Sequence, residues 1–348
     1  MRTLHWLRRT PALLLAIAPL PAAAFAPGDL LVSYGNEILK VDPDTATYSV
    51  FSPPPLSPDL IDGQGTAQIA IDPMGDVFVV SGGNVIEIDP DSGEQQVLQK
   101  RDYVCVGPLP LCGYVESPLP LGANPLGIDS AHDGSLDLFV GCYKDVYRVH
   151  RVSGEVSSSE SVFDQYDVVF ASLLVASNFG SPYVADHDLH RTGVPPAPVI
   201  FPGLGAPASV SALTASGATL VVATAEEGDP SGAGVYFGGH AFLPLTQGGY
   251  LRRPVGVAVD PLRMDRIWVA DAGEFAAPAN RLIRLDYDGL DWRQTLFAEL
   301  PAADEVHGIA AWPANVPEPG ALAEALAALG VLGLRRQAIA RCARSSKS

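Results

Sequence analysis

An internal repeat constrains this chain more than anything else in it. One copy reads Gln68-Ile69-Ala70-Ile71-Asp72-Pro73-Met74-Gly75-Asp76, then Val77 to Val80, then Val85 to Ile88, then Asp89-Pro90-Asp91-Ser92-Gly93 and Glu94 to Leu98. Another runs Pro254 to Pro261, Ile267 to Asp271, Arg281 to Asp286, Tyr287-Asp288-Gly289 and Trp292 to Phe297, with its parts in the same order. The apolar runs are short and are punctuated by Asp, Pro and Gly, so each copy predicts four strands joined by turns. Less regular copies follow the same plan. Leu126 to Asp129, Leu138 to Cys142, Val146 to His150 and Val156 to Val162 form one, and Ser209 to Leu213, Leu220 to Ala225 and Gly234 to Phe242 belong to another. Between them, Val168 to Phe201 holds Leu173 to Ala176, Tyr183 to Ala185 and Val199 to Phe201 as candidate strands.

The remaining copy is split between the two ends of the body. Asp29 to Ser33, Glu37 to Asp42 and Tyr48 to Phe51 match a second, third and fourth strand, and the missing first strand is His307 to Trp312. A chain that ends by supplying the first strand of its opening unit closes a ring and leaves no free sheet edge. First strands near Ala70, Gly127, Val169, Ser211, Gly256 and Gly308 predict an all-β, six-bladed propeller with four-stranded blades, spanning residues 25–314.

The repeat resembles NHL-type and YWTD-type propellers. The Pro254 to Phe297 copy is most similar to the latter, with Ile267-Trp268-Val269-Ala270-Asp271 where that family carries Tyr-Trp-Thr-Asp. The resemblance implies a module that binds partners. It also admits gluconolactonase-like hydrolases and lyases, which hold a divalent cation on the propeller axis.

Links from a fourth strand to the next blade, and from a second to a third strand, share one face of such a ring. The long segments 53–65, 100–124, 226–233, 271–280 and 301–306 fall there and gather carboxylates. Glu226, Asp229, Asp271, Glu274 and His307 are the candidate ligand-face residues, with Glu227, Asp304, Glu305 and the run Asp186-His187-Asp188 expected on the same face. Acidic turns such as Asp89 to Gly93 and Asp286 to Gly289 lie on the other face and suit turn geometry; neither has the ligand spacing of a calcium loop. Serine-nucleophile, phosphate-loop and zinc-type His/Glu motifs do not occur, so no catalytic residue and no metal set is assigned, although calcium remains compatible with the acidic face.

With 47% hydrophobic and 18% charged residues the chain can bury a core, which excludes disorder as its default state. Its net charge is −17 even though Arg2, Arg8, Arg9, Arg335, Arg336, Arg341, Arg344 and Lys347 all sit at the ends, so the body is more acidic still and repels nucleic acid. Cys105 and Cys112, in the segment Val104 to Gly113, are read as a small disulfide loop suited to an oxidising compartment, while Cys142 lies within an apolar run and is read as a buried small residue.

The two ends read as addresses. Residues 1–24 carry Arg2, Arg8 and Arg9, an apolar run from Pro11 to Leu20, and small residues Ala22 and Ala24 at the positions a signal peptidase inspects, a secretory signal peptide. Residues 315–348 contain Pro317-Glu318-Pro319, the Ala/Leu-rich run 321–334, which predicts a short apolar helix, and Arg335-Arg336. An apolar stretch followed by arginines acts as a stop-transfer element. This order resembles the PEP-CTERM sorting signal, and the resemblance implies processing by an exosortase at the envelope of an exopolysaccharide-producing Gram-negative bacterium. Glu324 interrupts the run and Gln337 to Ser348 extends past the arginines, two departures from the pattern. Together the sequence predicts an exported cell-surface or matrix protein, held transiently in the inner membrane by its C-terminal helix, that binds an extracellular glycan, protein or cation. The alternative is a metal-dependent extracytoplasmic hydrolase or lyase of the gluconolactonase-like type.

Overall fold

The computed structural model describes residues 25–52, 68–72, 74–81, 84–99, 102–106, 111–115, 125–130, 135–142, 145–150, 156–161, 174–178, 181–185, 189–191, 209–216, 219–225, 232–238, 242–274 and 277–314. Five antiparallel four-stranded sheets dominate it. The closing blade contains β1 (Leu30–Tyr34), β2 (Glu37–Val41), β3 (Tyr48–Ser52) and β25 (Val306–Ala311) in the order β25-β1-β2-β3. Next come β4 (Gln68–Ile71), β5 (Val77–Ser81), β6 (Asn84–Ile88) and β7 (Gln95–Gln99), then β10 (Pro125–Ser130), β11 (Leu138–Cys142), β12 (Asp145–Val149) and β13 (Val156–Ser161). The last two blades are β17 (Ser209–Ser216), β18 (Thr219–Ala225), β19 (Gly234–Gly238), β20 (Phe242–Gln247) and β21 (Pro254–Val259), β22 (Arg266–Glu274), β23 (Ala277–Tyr287), β24 (Trp292–Glu299).

The first strands of these sheets pack against one another in a ring, β25 on β4, β4 on β10, and β17 on β21, with β21 returning to β25. Between β10 and β17 stands β14 (Leu174–Asn178), which forms a three-stranded sheet with β15 (Ser181–Ala185) and β16 (Leu189–Arg191). The expectation of six four-stranded blades is therefore corrected to five, and the first strand of this segment is Leu174–Asn178 instead of one near Val169. The expected fourth strand, Val199 to Phe201, lies outside the described residues. A separate hairpin, β8 (Asp102–Val106) and β9 (Leu111–Val115), occupies part of what sequence predicts as one long loop, and 271–280 is likewise the tip of the β22–β23 hairpin. The predicted C-terminal helix falls outside the described residues, among which no helix is long and apolar enough to cross a membrane.

Closure follows from the split repeat. β25 pairs antiparallel with β1 from Leu30↔Ala311 to Tyr34↔Val306, Trp312 N–H donates to Asp29 O (2.7 Å), and Gly28 N–H donates to Trp312 O (2.9 Å). The Trp312 ring, fully buried, stacks on Phe25 with centroids 4.2 Å apart.

The core lies between sheets, not within one layer. In β1, Leu31 packs with Ile69, Val77 and Ile86 of the neighbouring blade, while Leu30 and Val32 pack with Ala258, Trp268 and Ala270 on the other side. A strand covered on both faces needs no polar alternation, which is why Leu30–Tyr34 is buried throughout. Each such aliphatic side chain contributes about 1.5–3 kcal/mol by leaving water.

The repeated aspartates build the turns of one face. Asp42 Oδ1 accepts from Asp44 and Thr45 N–H, Asp89 Oδ1 from Asp91 and Ser92, Asp288 Oδ1 from Leu290 and Asp291, Asp72 Oδ1 from Met74 and Asp76, and Asp260 Oδ1 from Leu262 and Arg263. These N–H donors hold the Asp42 and Asp288 carboxyls below their ordinary pKa, and at Asp89 they outweigh burial, which acts the other way. Gly93 ends one such turn at φ 71°, where a Cβ would also collide with Phe51 O.

Candidate functional site

The candidate site is a polar cluster on the long-loop face, at the seam between the β21–β24 blade and the closing blade. Asp271 stands at its centre, fully buried near the end of β22. Its Oδ2 accepts from the backbone N–H of Arg252 (2.7 Å) and Arg253 (3.0 Å), and its Oδ1 from Gly273 N–H (2.9 Å) and Arg281 Nη2 (2.6 Å). A carboxylate offers about four lone-pair sites. All four are filled by protein donors, so this group cannot also ligate a cation without losing one of them.

Antiparallel register explains the Arg281 contact, since Asp271 and Arg281 are direct cross-strand partners in the β22–β23 hairpin. The two backbone donors come from the link between β20 and β21, so Asp271 fastens that loop to the blade. The adjacent link, between β24 and β25, is held the same way. Asn280 donates through Nδ2 to Pro301 O (2.7 Å) and Asp304 O and accepts from Val306 N–H (3.0 Å), while Tyr34 OH donates to Pro301 O (2.8 Å) and accepts from Asp304 N–H (3.1 Å). Around these anchors stand two charged pairs. Arg253 meets Glu305 at 2.6 Å and Arg252 meets Glu274 at 3.4 Å. Tyr250, in the same loop as the two arginines, is exposed.

His307 enters through a backbone irregularity. The β1–β25 register steps from Ser33↔Gly308 to Tyr34↔Val306, leaving His307 as a bulge. The same step recurs one residue into β21 at Val255 and two residues into β17 at Ser211, so the position belongs to the repeat and the histidine is what this blade puts there. Burial pushes the His307 pKa below its ordinary value, helped by Arg253 and opposed by Glu305 and Asp304, so its ring is neutral at pH 7.

Of the residues expected on this face, the structure brings Asp271, Glu274 and His307 to one seam, together with Asp304 and Glu305. Glu226, Glu227, Asp229 and the run Asp186-His187-Asp188 lie outside the described residues, as do Ala22, Ala24, Pro317, Glu318, Pro319, Arg335 and Arg336. Sequence reading missed Arg252, Arg253, Arg281, Asn280 and Tyr34. A signal existed for Arg281, because the predicted hairpin sets it opposite Asp271, but none for Arg253 and Glu305, which are 52 residues apart. Among the described residues no three His, Cys, Asp or Glu side chains group as a metal site. Cys105 and Cys112, expected in a loop, sit opposite each other in the β8–β9 ladder.

The seam offers paired charges, peptide groups and one exposed aromatic ring. That arrangement can hydrogen-bond and stack on a neutral polar ligand. Among the described residues it presents no nucleophile beside a general base.

No protein-family model matches the chain, and no curated protein matches it. Among solved structures, the chain is similar to the nidogen/laminin complex (10% identity, TM-score 0.39, covering 82% of this chain and 98% of that one). It is also similar to the PQQ-bound aldose sugar dehydrogenase of Streptomyces coelicolor (14%, 0.47, 72% and 86%) and to the mitotic checkpoint complex (13%, 0.42, 70% and 82%). Likeness at this level carries no assignment of activity. The sheet order and the closing strand establish the architecture: the body of this chain is a β-propeller.

Proposed function

We propose that the chain is an exported propeller of the bacterial cell surface or matrix that acts as a binding or scaffold module, with its long-loop face turned to an extracellular glycan or protein. Residues 1–24 direct export and are removed by signal peptidase. Pro317-Glu318-Pro319, the apolar run and Arg335-Arg336 make the C-terminus a substrate for an exosortase-like protease after transient insertion in the inner membrane. Intact Arg335 and Arg336 in surface-fraction protein, read by mass spectrometry, would refute that processing.

The observation that carries the binding reading over the hydrolase reading is the state of the Asp271 carboxylate, committed on both oxygens to protein donors. Glu274 and Glu305 are likewise paired with arginines, so these three carboxylates act to order loops. Tyr250 and these neutralised charges favour a polyhydroxylated ligand that stacks and hydrogen-bonds over an ionic one. Calorimetric titration of the purified protein against extracellular polysaccharide fragments tests this, with affinity lost in Tyr250→Ala. Turnover of sugar lactones that requires calcium would instead establish the hydrolase.

A further inference from the structure

Large apolar side chains stand exposed at the tips of turns on the face opposite the long loops. Met74 is 54% exposed and Leu262 is 61% exposed, and the two hold the same place in the repeat: each follows an Asp-Pro pair, and each donates its N–H to that aspartate's Oδ1 at 2.8 and 2.9 Å. Leu290, 86% exposed, and Tyr287 project from the neighbouring turn of the β21–β24 blade, which is tied to the first by Tyr287 N–H donating to Asp265 O (2.9 Å). Apolar residues scattered singly on a surface need no explanation. Here their placement does.

The closing blade lies between the two blades that carry Met74 and Leu262, and where those have a turn between first and second strand, the closing blade has the two ends of the described chain. Phe25 and Trp312 meet there, and a Cβ on Gly28 would stand 3.5 Å from Leu262 Cδ1. The apolar tips thus flank the point from which the C-terminal segment departs. From Ala314, residues 315–324 lead to the uninterrupted apolar run 325–334, and ten residues reach at most about 35 Å when fully extended. Whatever receives that run lies close to this face.

Charge on this face is compatible with that orientation. In a strongly acidic chain, the arginines of this corner each have a carboxylate partner: Arg263 with Asp265 (3.2 Å), Arg266 with Asp286 (2.9 Å), Arg284 with Asp286 (2.6 Å) and Arg293 with Asp288 (2.6 Å). Paired charges around protruding Leu, Met and Tyr suit the boundary of a zwitterionic bilayer, where apolar tips enter and polar stems stay in water. We propose that this turn face, through Leu262, Leu290, Tyr287 and Met74, rests on the membrane surface while the C-terminal run is inserted, and that the long-loop face consequently points away from it. The inference rests on the reading of residues 315–348 as a membrane segment.

The test uses the chain from residue 25 to its C-terminus, mixed with phosphatidylcholine vesicles that contain nitroxide-labelled lipid. Flotation reads insertion of the tail. Quenching of Leu262→Trp and Leu290→Trp beyond that of the parent's own Trp268, Trp292 and Trp312, compared with Leu243→Trp on the outer strand β20, reads the face. The expected result is flotation with fluorescence at 262 and 290 lowered about twofold or more, and little change at 243. Flotation with equal quenching at all three positions overturns the proposed face and leaves the tail reading standing. Failure to float overturns the tail reading and, with it, this orientation. A solution dimer that Leu262→Glu converts to monomer assigns the patch to a second copy and also overturns the proposal.

Discussion

Asp271→Ala is the perturbation that most directly separates a structural carboxylate from a metal ligand. Removing the side chain strands three backbone N–H groups, those of Arg252, Arg253 and Gly273, and leaves the largely buried Arg281 guanidinium without its 2.6 Å partner. Each hydrogen bond to a charged group is worth about 1.5–3 kcal/mol, but four bonds to one carboxylate are not additive. Breaking a buried ion pair by deleting one member costs about 3–5 kcal/mol, and that is the expected loss. Asp271→Asn keeps an acceptor for Gly273 and Arg281 but turns its amide toward the Arg252 and Arg253 donors, so it should lose less, about 2–3 kcal/mol. Arg281→Ala leaves the carboxylate with three backbone partners and should lose least, about 1–2 kcal/mol. Urea unfolding followed by tryptophan fluorescence, run in EDTA and again with calcium, gives the three values. The losses should fall in that order in both conditions. A metal ligand would behave otherwise: in EDTA, Asp271→Ala would be neutral or stabilising, and only the wild type would gain stability from calcium. That pattern, or a loss below about 1 kcal/mol in EDTA, refutes the assignment.

Four further outcomes follow from particular contacts. Trp312→Ala removes a fully buried ring stacked on Phe25 at the closure and should cost about 3–5 kcal/mol, visible as a lowered urea midpoint. Gly256→Ala places a Cβ 2.7 Å from Ile309 N and 2.9 Å from Gly308 Cα, both on the adjacent first strand, so it should destabilise by about 1–3 kcal/mol or more, because backbone must move to admit it. His307 has a folded pKa below the 6.5 of the free side chain, so the unfolded chain takes up its proton first as pH falls. Its contribution is fully present above that value and is lost as pH drops through the lower folded value, and His307→Gln should flatten the stability profile below about pH 6.5. Cys105 and Cys112 are register partners in the β8–β9 ladder, and if the expected disulfide joins them, mass spectrometry of the unreduced protein will show an internally cross-linked peptide spanning 105–112; free thiols there would refute it.

What depends on near neighbours could be read from the residues alone. Strand runs, the Asp-Pro turns whose carboxylates cap their own next residues, and the split unit that closes the ring were all readable, because each rests on alternation, on turn chemistry within about five residues, or on counting repeats. The cross-strand partnership of Asp271 and Arg281 was nearly so, since a hairpin fixes its own register. The rest waits on the packing of blade against blade. That Arg253 meets Glu305, that Tyr34 holds Asp304 across 270 residues, and that a bulge sets His307 at the seam all depend on which blades lie side by side. A row of acidic letters looks the same whether its carboxylates are free to take a cation or already hold arginines and peptide N–H groups. The difference lies in distances of about 3 Å between segments far apart in the chain, and those distances are set by the packing of blade on blade.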